Sequence, residues 1–399
     1  MMESVVSPEI LGYMEHSSWI RRMFEAGIEL KKKYGDDQVY DFSLGNPDMP
    51  PPPEVKAALL DFAQTADRPY SIGYMPNAGF ADTRAALARK VSQEQSAEID
   101  ASHVIVTCGA AGGLNAVFRA TLEPGCEVLC PAPYFVEYGF YVSNFGGKLR
   151  PVPSHPEDFS LDIEGFRAAL GDKTRAVIIN SPNNPTGRIY NREELAALAE
   201  LLREQSEKNG RPILLISDEP YRFLNFEHME IPSLFSLYDD SIVIGSFSKN
   251  LSLAGERVGY VAAAPDFHGV KEFIAAITMT NRILGFVNAP AIGQKVLNSC
   301  IDCEVDPVLY GRRRDMMADV LREAGFEFYL PPGAFYFFPK TPIEDDVEFV
   351  RILQGERILA VPGVGFGMAG FIRLAFCVPE RTITDSLPSF KRAVASVRR

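Results

Sequence analysis

The chain has 399 residues, 46% apolar and 23% charged, which fits two or three globular domains sharing a sizeable core. Forty basic against 52 acidic residues leave a net charge of −12, which argues against a nucleic-acid binder, since that needs a basic footprint. No apolar run is long enough to span a membrane, and the start, with Glu3 and no basic or long apolar stretch, does not read as a secretory signal. Six cysteines in this length make no disulfide scaffold and fit a reducing cytoplasm.

In chain order, Pro50–Pro53 is a stiff polyproline connector or groove-lining segment. From about residue 100 short apolar runs alternate with helical stretches. Val104–Val106 precedes a helix from Gly113 to Leu122 that stops at Pro124-Gly125. Glu127–Cys130 follows, with a helix-like stretch from Phe135. Ala176–Ile179 and Ile213–Ile216 flank a helix opened by Asn191-Arg192-Glu193-Glu194, with leucines on one face through Leu202. Ile242–Gly245 and Val258–Ala263 complete the set. The pattern predicts βαβ units around a mainly parallel sheet, which binds ligands at the carboxyl ends of its strands.

The last hundred residues predict an antiparallel pair, Glu327–Leu330 with Ala334–Phe338, joined by Pro331-Pro332-Gly333 and flanked by helices over 307–324 and 381–397. The expected division is a small α+β domain of residues 1–47 with 300–399, and a large α/β domain over 48–299. Cys300 and Cys303 form a lone C-x-x-C; the five histidines show no metal spacing, so two half-buried thiols one turn apart is the simpler reading.

Candidate chemistry sits just after the strands. Gly109-Ala110-Ala111 opens a helix and exposes backbone N–H groups that suit a phosphate, although a tight turn without ligand gives the same pattern. Asn183-Asn184-Pro185 fixes a turn that aims amide side chains inward, or is simply a rigid loop. Asp218 ends an apolar strand, where it either meets a cation or donor or caps a helix. Lys249 directly follows a buried strand, with Ser246 before it and Arg257 after it. An amine, an anion hole, an acid and an aromatic hydroxyl at separate strand ends suit a phosphorylated aldehyde cofactor held as a Schiff base.

The segment Ser246-x-Ser248-Lys249 through Gly255-x-Arg257-x-Gly259 resembles the cofactor-lysine signature of class I/II pyridoxal-phosphate aminotransferases. Tyr74-x-Pro76-x-Ala78-Gly79, Asn184–Gly187, Asp218–Tyr221, Gly333–Tyr336 and Pro362–Gly367 with Arg373-Leu374 also match in the family's order, so the resemblance covers nearly the whole chain. It implies the type I fold, a homodimer, pyridoxal 5′-phosphate as cofactor, and transfer of an amino group from an L-amino acid to a 2-oxo acid in a ping-pong Schiff-base mechanism.

The resemblance further implies residue roles. Lys249 attaches the cofactor and, once displaced by substrate, moves a proton, which needs an amine made neutral by desolvation and a cationic ring. Asp218 pairs with the ring nitrogen. Tyr221 and Asn184 donate to the ring oxygen, and Phe135, where tryptophan is frequent, stacks on the ring. Gly109, Ala110 and Ala111 with Ser246 and Arg257 cage the phosphate, which Tyr74 reaches from the partner subunit. Arg373 holds the substrate α-carboxylate through two parallel bonds, with Asn184 and the backbone at Gly45 beside it.

Ala111 stands where aspartate-type relatives often carry a basic residue, so dicarboxylate preference is not implied; Arg21 and Arg22 are candidates to supply that charge. The same scaffold also serves β-lyases and decarboxylases. A non-enzymatic cofactor-binding sensor is the remaining alternative, although no basic helix-turn-helix extension is visible.

Overall fold

The computed structural model describes residues 4–15 and 19–398, except for the side chains of residues 15, 20, 21, 22 and 24. The chain divides into two compact units, one of Asn46–Gly311 with Pro331–Phe335 and one of Met1–Gly45, Arg312–Leu330 and Tyr336–Arg399. This division differs from the expected 48–299 boundary. The cut at Gly311 falls inside the helix Pro307–Ala324. Pro331–Phe335 goes with the larger unit because its backbone is committed there: the Gly333 N–H donates to Gly187 O at 3.1 Å and the Phe226 N–H to Pro332 O at 2.8 Å.

The larger unit carries a seven-stranded sheet. In spatial order its strands are Val104–Cys108, Val258–Ala263, Ser241–Ser246, Leu214–Asp218, Thr174–Asn180, Glu127–Ala132 and Lys148–Pro153. Only Val258–Ala263 runs antiparallel to its neighbours; the remaining pairings are parallel. Alternate residues enter opposite cores. Val104, Val106, Val243 and Ala262 pack with Leu87, Val91 and Leu297. Ile105, Ile216, Ile244 and Val261 pack with Leu114, Val117 and Ile277. Both faces are covered, so the strands read as continuous apolar runs, which is why they were visible in the sequence.

Lys148–Pro153 was not expected as a strand. It lies at the sheet edge with one partner, where two prolines cost no ladder bonds. The helix Arg192–Asn209 begins in a reciprocal capping box between Asn191 and Glu194 and ends at Gly210 in a left-handed conformation. Pro53 opens the helix Pro53–Ala63, with Pro52 still extended.

The smaller unit differs more from expectation. The 327–330/334–338 hairpin does not form. Tyr336 and Phe337 instead pair antiparallel with Ala375 and Leu374 of Ile372–Ala375, which also pairs with Val361–Pro362. Phe328 contributes only a ring edge to Phe337, centroids 5.2 Å apart. The bend residues that would have closed the hairpin are held by Gly187 and Asn225. The helix 307–324 is present, whereas 381–397 breaks into Glu380–Asp385 and Leu387–Val397 with Pro388 in the first turn of the second. Among the described residues no helix is long and apolar enough to cross a membrane.

Gly259 shows how tightly the sheet is built at one end. A Cβ there would lie 2.5 Å from the Gly109 carbonyl carbon, 2.7 Å from Gly245 O and 2.8 Å from the Ala110 nitrogen, all backbone atoms. Gly259→Ala is therefore expected to destabilise the protein by about 1–3 kcal/mol in denaturant unfolding. Gly171→Ala, where nothing lies within 4 Å, serves as the control. Equal stability of the two variants would contradict this packing.

Candidate active site

Parallel register sends the segments after Glu127–Ala132, Thr174–Asn180, Leu214–Asp218 and Ser241–Ser246 out of one edge of the sheet. Val104–Cys108 points the same way, because it and Ser241–Ser246 are both antiparallel to Val258–Ala263. Phe135, Asn184, Asp218, Tyr221, Ser246, Lys249 and Gly109 to Ala111 thus follow strand ends on one edge. Arg257 joins them from the start of the antiparallel strand.

Asp218 is the most constrained of these groups. It is 5% exposed, and its Oδ2 accepts the Tyr138 hydroxyl at 2.6 Å. Its Oδ1 is buried with no hydrogen-bond partner among the described residues. Burial lifts this carboxyl to about 7, against the Tyr138 hydrogen bond, which lowers it, and with the Glu219 charge, which raises it. Burial and then the Asp218 charge hold the Tyr138 phenol well above its ordinary range, so it stays a donor. The backbone at Asp218 is fixed by Asn180, whose Nδ2 donates to Asp218 O at 2.7 Å while its Oδ1 accepts the Asn184 N–H at 2.6 Å.

Next to this acid, Tyr221 packs edge-on against Phe335 with centroids 5.2 Å apart, and the Lys249 Nζ lies 5.7 Å from the same ring centroid. Phe135 meets Tyr138 edge-on at 5.5 Å. The turn at Gly109 has φ +70°, and a Cβ there would come within 2.8 Å of the Arg257 Nη2. That guanidinium therefore lies against the first turn of the helix Gly109–Thr121, where backbone N–H groups lack helical partners. Gly259 is the reason the turn can sit so close, which gives the second glycine of the lysine signature a packing role.

The Tyr74 element is held from below. A Cβ on Gly79 would come 2.4 Å from Val106 Cγ2, and Asn288 Nδ2 donates to Met75 O and Pro76 O at 3.1 Å. Tyr74 itself is 93% exposed on the isolated chain.

In the smaller unit Arg373 is 2% exposed, its guanidinium carbon 4.8 Å from the Tyr336 ring centroid and 4.9 Å from that of Phe366. Its Nη2 donates to Ser43 O at 2.5 Å. Gly45 carries no side chain for a local reason: a Cβ would fall 2.0 Å from the Tyr336 hydroxyl. The side chains of Arg21 and Arg22 lie outside the described residues.

The family Aminotransferase class I and II matches residues 37–387. The chain belongs to the class I and II aminotransferases. Among its relatives, a probable aspartate/prephenate aminotransferase of Aquifex aeolicus is 32% identical over 92% of this chain and 94% of the relative. An aspartate aminotransferase of Bacillus subtilis is 30% identical over 91% and 93%. An amino transferase of Eubacterium rectale superposes with a TM-score of 0.95 at 35% identity, covering 100% of both chains. Thermus thermophilus aspartate aminotransferase, solved with maleate, gives 0.85 at 28% identity over 98% and 100%.

This aminotransferase therefore has the type I fold and uses pyridoxal phosphate for transamination; the lyase, decarboxylase and sensor alternatives are not favoured. The residues present fit that cofactor. A ring N–H is the donor that Asp218 Oδ1 lacks, and a dianionic phosphate suits the Gly109 turn beneath Arg257. Tyr138, Asn180, Glu219 and Arg222 were not singled out from the sequence. Asn180 carried a signal, as a polar residue in register with Asp218 at the end of an apolar strand. Tyr138 carried none, being 80 residues from the acid it holds.

The pH dependence of stability tests the Asp218 environment. An unfolded aspartate titrates near ~4, and here the folded value is about 7. Between those values the native state binds the extra proton. The cofactor-free protein should thus lose stability as pH rises from about 4 to about 7, then level off. Asp218→Asn should remove that contribution in denaturant melts at a series of pH values; an unchanged slope would contradict the assigned environment.

Proposed function

We propose that this aminotransferase binds its cofactor at the sheet edge of the larger unit and recognises an L-amino acid and a 2-oxo acid through Arg373. The observation that carries the reading is the buried Asp218 with one carboxylate oxygen held by Tyr138 and the other without a partner among the described residues. Bound pyridoxal phosphate supplies a carbonyl that takes up an amino group and a ring that accepts electrons. Asp218 keeps a negative charge at the ring nitrogen. Tyr221 and Asn184 would donate hydrogen bonds to the ring oxygen, and Phe135 would stack on the ring. Gly109, Ala110 and Ala111 offer backbone N–H groups to the phosphate, with Ser246 and Arg257 completing the cage.

Lys249 would hold the cofactor, and its Nζ, when neutral, would take the proton from the substrate Cα. Arg373 takes the α-carboxylate in a two-bond grip, as guanidinium geometry favours, and Gly45 and Asn184 are proposed as further substrate contacts. The rings of Tyr336 and Phe366 pack against the buried guanidinium, which limits the side-chain freedom left to lose on binding. The relatives named aspartate and aspartate/prephenate aminotransferases support assaying acidic and aromatic donors first. Ala111 brings no charge to the loop.

The enzyme acts as a homodimer in this reading, with Tyr74 reaching the partner's phosphate. Tyr74 and Tyr70 are 93% and 92% exposed, beside exposed Ile72, which is a large apolar surface for a lone chain. Cytoplasmic residence is proposed from the six cysteines, which are all free thiols.

Lys249→Ala should abolish transamination while leaving a folded protein, as read by circular dichroism and turnover; wild-type turnover would overturn the role of Lys249. Arg373→Ala should raise KM for every amino donor, with kcat/KM falling by an equivalent of roughly 2–5 kcal/mol. Unchanged KM values would place the carboxylate elsewhere.

A further inference from the structure

The residue after Asp218 is a second buried acid that the reaction does not use. Glu219 has a side chain 4% exposed. The strand sends it away from Tyr138, and its carboxylate accepts from Ser217 Oγ at 2.8 Å and from Gln95 Nε2 at 3.4 and 3.5 Å. Arg222, three residues on, closes the set with Nη1 at 2.8 Å from Glu219 Oε2. The other arm of Arg222 is anchored on backbone, with Nη2 donating to Glu94 O at 2.6 Å and to Ile231 O at 3.3 Å. Gln95 is itself fixed, its Oε1 accepting the Leu234 N–H at 2.8 Å.

Two carboxylates on successive residues in a water-poor strand end repel each other, and neither is solvated enough to ignore it. A cavity of about 240 Å³ borders Glu219 and Arg222, lined also by Lys90, Glu94, Tyr260 and Glu304. Lys90 is engaged by Glu94 at 3.1 Å. Arg222 is the cation in direct contact with Glu219. On the Asp218 side the titratable neighbours are Tyr138, Tyr141 and Tyr221, with Lys249 on the segment after the adjacent strand.

We propose that Arg222 is a positioning residue for the cofactor: by clamping Glu219 it supplies the countercharge that lets Asp218 carry its own negative charge at the ring nitrogen. This rests on the reading of Asp218 as the partner of that nitrogen. Burial lifts both carboxyls, and the charge of Glu219 raises Asp218 further while Arg222 lowers Glu219. Without Arg222 the two acids titrate as a coupled pair that resists its second negative charge.

The test is equilibrium binding of pyridoxal phosphate to the cofactor-depleted full-length protein as a function of pH, with melting temperature measured alongside. Arg222→Gln should move the acid limb of binding upward by about one pH unit. Glu219→Gln leaves the Arg222 charge uncompensated and should move that limb downward. The double variant should return it towards wild type, and Arg222→Lys should leave it in place. A purely structural network would lower the melting temperature of both single variants and leave the limb unmoved, or move it in one direction for both; either result overturns the proposal. Asp218→Asn separates the two levels of the argument. If it leaves cofactor affinity and its pH dependence intact, the reading of Asp218 fails, and the role of Arg222 with it. If it disturbs them while the two single variants show no opposed shifts, only the role of Arg222 fails.

Discussion

One buried carboxylate sets the terms for the larger unit of this protein. Asp218 is carried to the end of a fully buried strand, where an ionised group without partners would cost several kcal/mol. Tyr138 satisfies one oxygen and Asn180 fixes the backbone, which leaves a single acceptor in a fixed direction. An acceptor prepared in this way is poorly suited to water and well suited to one charged donor. In the proposed reading the electron-accepting ring needs a donor that stays protonated, and the burial that disfavours charge on Asp218 in the free protein suits that donor.

The rest of the edge is organised by close backbone approach. Gly259 has no side chain because Gly109 and Ala110 occupy its place, Gly109 has none because Arg257 does, and Gly79 has none because Val106 does. Each glycine removes a methyl group that would push one segment off another. Together they bring a helix start and a guanidinium to neighbouring positions without any long loop. In the smaller unit aromatic rings do comparable work, with Tyr336 and Phe366 both packed against the Arg373 guanidinium.

The sheet of the larger unit was legible because burial on both faces writes strands as apolar runs, and loops at their ends carry the polar exceptions. Lys148–Pro153 was not, since an edge strand tolerates prolines and charge. The aromatic run at 334–338 looked like one arm of a local hairpin, but alternation specifies that a strand has a buried face and not which strand is its partner. Its true partner, Ile372–Ala375, lies far along the chain. The residues proposed for the site stand out because their types are rare after buried strands. Tyr138 and Arg222 could not be read, because what matters about them is a contact, and an aromatic in a helix or an arginine in a turn has many bland explanations.

The most direct measurement is the protonation state of the ring nitrogen in the bound cofactor, read by NMR with isotopically labelled pyridoxal phosphate. In the wild type that nitrogen should remain protonated well into alkaline pH, and in Asp218→Asn it should lose its proton near the value of the free cofactor. A nitrogen that titrates identically in both proteins would contradict the assignment of Asp218, and with it the account of why this strand ends in a buried acid.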